Sequence, residues 1–212
     1  IQSYTFEGLK AINLKEKYLV TGTPCQIDSF RRYVRKFRKE DNFVLVDFFC
    51  HGVPSMWMWY NYLHINQPKV DGLRSVTWRN KRTGWHDSWA MNLQGKTQEV
   101  YSLMSKGDLF YRLFLGDWCM NPACVKDCKF KYEASSADIR IGDLWGNTYK
   151  DDEKGVSAAI AFTEKGNQIL RELEFCTLRS HSFEVVAEGQ MKQNARNTLL
   201  YPVIKALLNR SQ

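Results

Sequence analysis

The stretch YLVTGTPCQI, residues 18–27, constrains the fold more than any other part of this chain. Its apolar run is too short for a helix, breaks into Gly-Thr-Pro, and delivers a cysteine where a helix can begin. The pattern returns as FVLVDFFCHGVPS, residues 43–55. Tyr18 to Thr21 therefore reads as a buried strand, Gln26 to about Lys39 as an amphipathic helix, and Phe43 to Phe49 as a second strand. A second helix, opened by Pro54, carries Met56, Trp57, Tyr60 and Leu63. Strand, helix, strand, helix is the order of a parallel βαβ unit. In such a unit both strands end on one edge of the sheet, the edge at which open α/β sheets bind ligands. Cys25 and Cys50 are thus expected side by side. Adjacent strands lie about 4.8 Å apart, so two thiols there could share one metal ion or cluster. Each would also sit near a helix N-terminus, whose dipole favours thiolate. The competing reading is two buried cysteines serving as small apolar residues.

Beyond Arg74 the texture changes. SVTWRN, SWAMNL and TQEVYS read as short antiparallel strands, with QGK as a hairpin turn, so residues 74–102 form a hairpin insertion. GDLFYRLFL reads as a short helix before a cysteine loop at 117–130, in which Asn121-Pro122 makes a turn. ADIRIGDLWG and GVSAAIAF are two further strands, and Thr163 can cap a helix over EKGNQILRELEF, which would hold Cys176 as a structural residue. TLRSHSFEVV is expected to be another strand, and the remainder mostly helical. The fold class is α/β: a mixed sheet with a parallel βαβ core, an antiparallel hairpin insertion and C-terminal helices, in one domain over 1–212.

Hydrophobic residues make up 44% of the 212 positions, enough for one substantial core. No apolar run is long enough to cross a bilayer, and the first residues lack the layout of a secretory signal. Six cysteines in a chain of this size and composition are expected to be reduced thiols of a cytoplasmic protein, not a secreted disulfide framework. The net charge of +7 owes much to RRYVRKFRK, residues 31–39. Ile27, Phe30, Val34 and Phe37 fall at helical spacing there, which leaves the basic residues on a solvated face. Such a face could meet an anionic cofactor or an acidic partner; nucleic acid is disfavoured, because charge is its sole support.

DWCMNPACVKDCKF places Cys119, Cys124 and Cys128 at C-x4-C-x3-C spacing. Three thiols this close select zinc or an iron–sulfur cluster. The spacing departs from C-x2-C and leaves the metal open. Borrowing Cys25 and Cys50 would supply a fourth ligand and suit a [4Fe–4S] cube.

GTPCQI, CHGVPS, WRNKRTGW, the cysteine loop, ADIRIGDLWG and GVSAAIAFTEKG occur in the order found in the coenzyme F-420 hydrogenase/dehydrogenase beta-subunit family, which the chain resembles from about Tyr18 to Gly166. The resemblance implies a flavin-dependent iron–sulfur oxidoreductase subunit. It would pass electrons between a hydride carrier, a flavin such as FAD and a [4Fe–4S] cluster, with the deazaflavin coenzyme F-420 as a candidate substrate. Carried over by position, it implies Cys25, Cys50, Cys124 and Cys128 as cluster ligands, with Cys119 as the alternative because the loop is wider than the family's. Many relatives carry an N-terminal ferredoxin-like segment. A chain that opens without methionine is expected to be the part that follows it, working with that segment or with a redox partner protein.

Other motifs have physical roles to offer. N–H groups at Gly22 and Thr23, at a helix start, could hold a flavin pyrophosphate. Trp78 and Trp85 offer flat aromatic surface and Lys81 a cation for a reduced flavin, while Asp143 and Trp145, after a strand, could line the same edge; core packing or turn chemistry is the alternative for each. His51, beside Cys50, is a candidate proton donor. Catalytic residues are not assigned. Against the redox reading stands a zinc-stabilised or metal-free interaction module that docks a partner through its basic helix, and a cysteine nucleophile lacks any legible partners.

Overall fold

The computed structural model of the chain describes residues 5–196 and 198–210. A short helix, α1 (Thr5–Ala11), leads into β1 (Tyr18–Thr21), α2 (Pro24–Lys36) and β2 (Phe43–Phe48). Then come α3 (Met56–Asn66), β3 (Ser75–Trp78), β4 (Ala90–Gln94), β5 (Glu99–Leu103), α4 (Leu109–Leu115) and α5 (Pro122–Lys126). The chain returns through β6 (Ile139–Asp143) and β7 (Ser157–Ala161) and ends in α6 (Glu164–Arg171), α7 (Phe183–Val186) and α8 (Tyr201–Arg210).

Two sheets result. The first has the order β1-β2-β6-β7, with β1, β2 and β6 parallel and β7 antiparallel to β6. The second is the antiparallel meander β3-β4-β5. The mixed α/β architecture expected from the sequence is the one observed. Because β1, β2 and β6 run the same way, the segments carrying Cys25, Cys50 and Asp143-Trp145 all leave the first sheet at one edge.

Local chemistry explains the starts of the helices. Gln26 Oε1 accepts from both the N–H and the hydroxyl of Thr23, with Pro24 at the first helical position of α2. Ser55 caps α3, Asp108 caps α4 and Thr163 caps α6, each accepting from an N–H of the first turn. Ile27 and Val34 of α2 pack with Phe43, Leu45 and Ala137 over one face of the first sheet. A second core joins α3 and α4 to β4 through Met58, Tyr62, Met91, Leu93, Phe110 and Tyr111. None of the described helices is long and apolar enough to cross a membrane.

Four local expectations change. Asn121-Pro122 opens a short helix, α5, because Asn121 Oδ1 caps the Ala123 N–H at 2.9 Å. Helix α6 stops at Arg171; Glu172 and Glu174 lie where the dipole disfavours acids, and Leu173 and Phe175 beyond it are exposed. Cys176 accordingly lies outside any helix and is exposed. In place of the strand expected over 177–186, Ser182 starts the single turn of α7, with Glu184 suited to its N-terminus. Finally, Arg31 turns inward from the basic stretch, as described below.

Candidate functional site

Cys25 occupies the first turn of α2 and is exposed, whereas Cys50 follows β2 and is half-buried. Burial pushes the Cys50 thiol up to about 11, and the neighbouring Cys124 and Cys25 add to the rise, against the opposing pull of the Lys131 ammonium and the Gly52 N–H. Cys25 and Cys124, from segments remote in sequence, therefore both lie within electrostatic reach of the Cys50 sulfur. Each also meets a polar group. The Val53 N–H donates to Cys124 Sγ at 3.4 Å, the Thr23 hydroxyl lies 3.3 Å from Cys25 Sγ, and the Gly52 N–H serves Cys50.

The cysteine loop is tied to the Cys50 turn by its backbone. Ser55 N–H donates to Cys119 O at 2.7 Å and Asn121 N–H to Val53 O at 2.8 Å, around a bridge between Pro54 and Met120. Gly52, between the two segments, has φ +142°, and a side chain there would run into Met120 and press on Cys124. Only glycine allows that approach. Lys131 Nζ closes the other side, donating to Cys50 O (2.6 Å) and His51 O (2.7 Å). Cys128, half-buried, lies between α5 and Lys131. Cys119 points elsewhere, into the second core, where burial raises its thiol.

Gly22 and Thr23 shape the turn before Cys25. Gly22 N–H donates to Val46 O at 3.2 Å and Thr23 N–H to Gln26 Oε1 at 2.9 Å, so a phosphate role would require both bonds to open.

The remaining candidates assemble where the second sheet meets the end of β6. Trp145 stacks on Trp85 (centroids 5.4 Å) and on Trp89 (5.8 Å). Arg79 lies over all three rings, 4.4 Å from the centroid of Trp89 and 4.7 Å from that of Trp145, and pairs with Asp143 at 2.9 Å. Lys81 Nζ stands 4.3 Å over Trp85. Asp143, Trp145, Trp85 and Lys81 thus come together, around an arginine and a third tryptophan that sequence reasoning missed. The signal for Arg79 lay inside WRNKRTGW, where the quoted motif drew attention to Lys81 instead.

A cleft of about 1890 Å³ opens beside this group. Val46, Phe48, Ile139 and Ile141 of the first sheet form its floor, and Arg79, Trp89, Asp143, Trp145 and His51 its polar and aromatic wall. Lys81, Trp85, Gly22 and Thr23 do not line it. Two buried polar atoms of that wall lack a partner, Arg79 Nε and His51 Nδ1. His51 Nε2 is held 3.0 Å from Phe114 O and 2.9 Å from Asp117 Oδ1, and Lys131 binds the carbonyl of His51, so the residue spans the thiols and the cleft.

These features fit the groups that the sequence implies. An unpartnered buried Arg79 N–H and an unpartnered imidazole nitrogen beside aromatic faces suit a planar heterocycle carrying its own donors and acceptors. N–H groups directed at sulfur stabilise cluster-bound thiolates. Among the described residues no three His, Cys, Asp or Glu side chains converge tightly enough for one metal ion. A cubane spreads its ligands over separate corners and asks for a wider ring of thiols.

Comparison with known proteins agrees with the motif order. No curated protein matches the chain. A chain of the F420-reducing [NiFe] hydrogenase complex from Methanosarcina barkeri, solved as a xenon derivative, aligns over 92% of this chain and 57% of its own length, at 13% identity and a TM-score of 0.42. A likeness that faint carries no functional weight, and this chain spans little more than half of that one. The sequence model for the C terminus of the coenzyme F420 hydrogenase/dehydrogenase beta subunit matches residues 15–178. On that match over most of its length, the chain belongs to the coenzyme F420 hydrogenase/dehydrogenase beta-subunit family, of whose C-terminal region it is an example.

Proposed function

We propose that this chain is the cofactor-bearing part of an F420-type oxidoreductase, holding a flavin in the cleft and a [4Fe–4S] cluster on Cys25, Cys50, Cys124 and Cys128. The single observation that carries the reading is the convergence of Cys25, Cys50 and Cys124, from three separate segments, at the sheet edge that also opens the cleft. When bound, such a pair of groups couples two-electron exchange with a hydride carrier to one-electron transfer toward a partner subunit. The chain's own residues position and insulate. The Arg79 Nε–H and His51 Nδ1 are free to meet ring heteroatoms, while Trp89 and Trp145 supply flat contact. Val46, Phe48, Ile139 and Ile141 keep water from the cleft floor. Arg171 and Arg179, on the cleft's lining, offer positive charge to an anionic substrate tail such as that of coenzyme F420.

The test is composition. Protein purified and reconstituted without oxygen is expected to be brown-yellow, with about four irons and one flavin per chain. Colourless protein that takes up neither iron nor flavin would overturn the proposal. Stoichiometric zinc with no chromophore would favour a zinc-stabilised interaction module instead.

A further inference from the structure

One buried ion pair also binds the backbone where the chain leaves the cysteine loop. Arg140, on β6, has no exposed surface, and neither has Asp47 on β2, which sits opposite it in the register. Arg140 Nε donates to Asp47 Oδ1 and Nη2 to Asp47 Oδ2, both at 2.7 Å. The guanidinium has further donors, and they all serve one stretch of chain. Nη1 reaches Tyr132 O at 2.8 Å, and Nη2 reaches Ala134 O at 3.0 Å and Phe130 O at 3.5 Å. Ser135 Oγ closes the ring by donating to Asp47 Oδ2 at 2.7 Å. Phe49 and Phe162 flank the cation at 5.4 Å each. Tyr132 is held at φ +52°, an uncommon conformation for a bulky residue, and one that the surrounding bonds must maintain.

The wrapped stretch begins two residues after Cys128, and within it Lys131 donates to the carbonyls of Cys50 and His51. Asp47 lies on β2, three residues before Cys50. The buried pair therefore connects both ends of the thiol site: the strand that delivers Cys50 and the returning limb of the loop that delivers Cys128. A lone structural ion pair would need neither the carbonyl contacts nor the strained tyrosine. We infer that Arg140, oriented by Asp47, is a positioning residue that fixes the Cys128–Lys131 limb against Cys50. The inference rests on the proposed cluster only for what the thiols hold; the positioning concerns the metal-free chain as well.

The experiment uses the full chain, metal-free and reduced, in wild-type form and as Arg140→Lys. Lysine keeps a positive charge facing Asp47 but cannot span three carbonyls. Alkylation rates of individual cysteines are read by mass spectrometry. With the variant folded by circular dichroism, Cys128 and Cys50 are expected to alkylate about tenfold faster, as local opening exposes them. Cys176, already exposed, should not change. Unchanged rates at Cys128 and Cys50 would overturn the inference. If Arg140→Lys does not fold, Lys131→Met takes its place; it removes the same tether from the loop side, and an unaltered Cys50 rate there is equally fatal. Faster alkylation in a protein that takes up no iron would uphold the positioning and sink the cluster proposal, so the two failures are distinct.

Discussion

Asp138→Asn is the substitution that tests how the helix bearing Cys25 is fastened to the sheet. Asp138 has no exposed surface, and its carboxylate accepts from the Leu45 N–H, Arg31 Nη2 and the Thr163 hydroxyl, each at 2.8 Å, with Lys165 Nζ at 3.7 Å. One side chain thus joins α2, β2 and the start of α6. Burial works to raise its pKa, but the Leu45 N–H, Arg31 and Thr163 outweigh it and hold the carboxyl below its usual range. Asparagine preserves the shape and removes the charge. Its NH2 must then face one of the donors, and Arg31, itself mostly buried, loses its closer counter-ion and keeps only the longer pair with Glu40 at 3.5 Å.

Breaking a buried pair by neutralising one member costs about 3–5 kcal/mol, and the lower end suits a site where Arg31 keeps some solvent. With a urea slope of about 2 kcal/mol per M, that is a fall of about 1.5 M in the unfolding midpoint. Unfolding followed by tryptophan fluorescence at pH 7 reads it directly. The pH dependence carries the sign. A carboxylate with a depressed folded pKa contributes its full stability above its unfolded value of about 3.9 and loses it as pH falls toward the folded value. The gap between wild type and variant should therefore be wide at pH 7 and narrow below about pH 4. A gap under about 1 kcal/mol at neutral pH, or one that persists undiminished in acid, would refute the reasoning.

Other substitutions separate the thiols and probe the aromatic cluster. Cys50→Ser should abolish iron retention in anaerobically reconstituted protein, whereas Cys119→Ala, within the second core, should keep its iron and lose about 1 kcal/mol of stability in the same urea assay; iron lost from both would place Cys119 among the ligands. Gly155 has φ +81°, and a Cβ there would drive into the Trp85 ring. Gly155→Ala should therefore cost about 1–3 kcal/mol and weaken the near-ultraviolet circular dichroism of the Trp85–Trp145 stack, and an unchanged spectrum would count against that packing.

What the sequence made legible was local. Strands β1, β2, β6 and β7, the meander and the Thr163 cap all follow from patterns spanning fewer than about ten residues. The convergence of Cys25 and Cys50 followed from one topological rule applied to those patterns. Arg31 was illegible because helical periodicity assigns every charge to solvent, while its partner, Asp138, lies 107 positions away. Arg79 was missed for a related reason. Trp85 and Trp89 follow Arg79 within ten residues, but Trp145 and Asp143 come from beyond the cysteine loop, so no local spacing betrays a cation among three rings.

The sequence DIRIGD nevertheless contained the warning. A strand buried in the middle of a sheet ordinarily reads as continuous apolar residues, yet here an acid and a base alternate with two isoleucines before Gly142 and a second acid. The alternation assigns each face of β6 a task. Asp138 and Arg140 face the side of α2 and the cysteine loop, where they bind Arg31, Asp47 and the Phe130–Ala134 carbonyls. Ile139, Ile141 and Asp143 face the cleft. A charge buried on an inner strand is tolerated only when it is paired and hydrogen-bonded. In this chain both buried charges fix segments that carry thiols, Asp138 through the helix whose first turn holds Cys25 and Arg140 through the limb that follows Cys128. The specificity of the motif is therefore structural twice over. One face of the six residues 138–143 fastens the cysteine site while the other paves the cavity, so the geometry of the two proposed cofactors is set by β6 and the residue that leads into it.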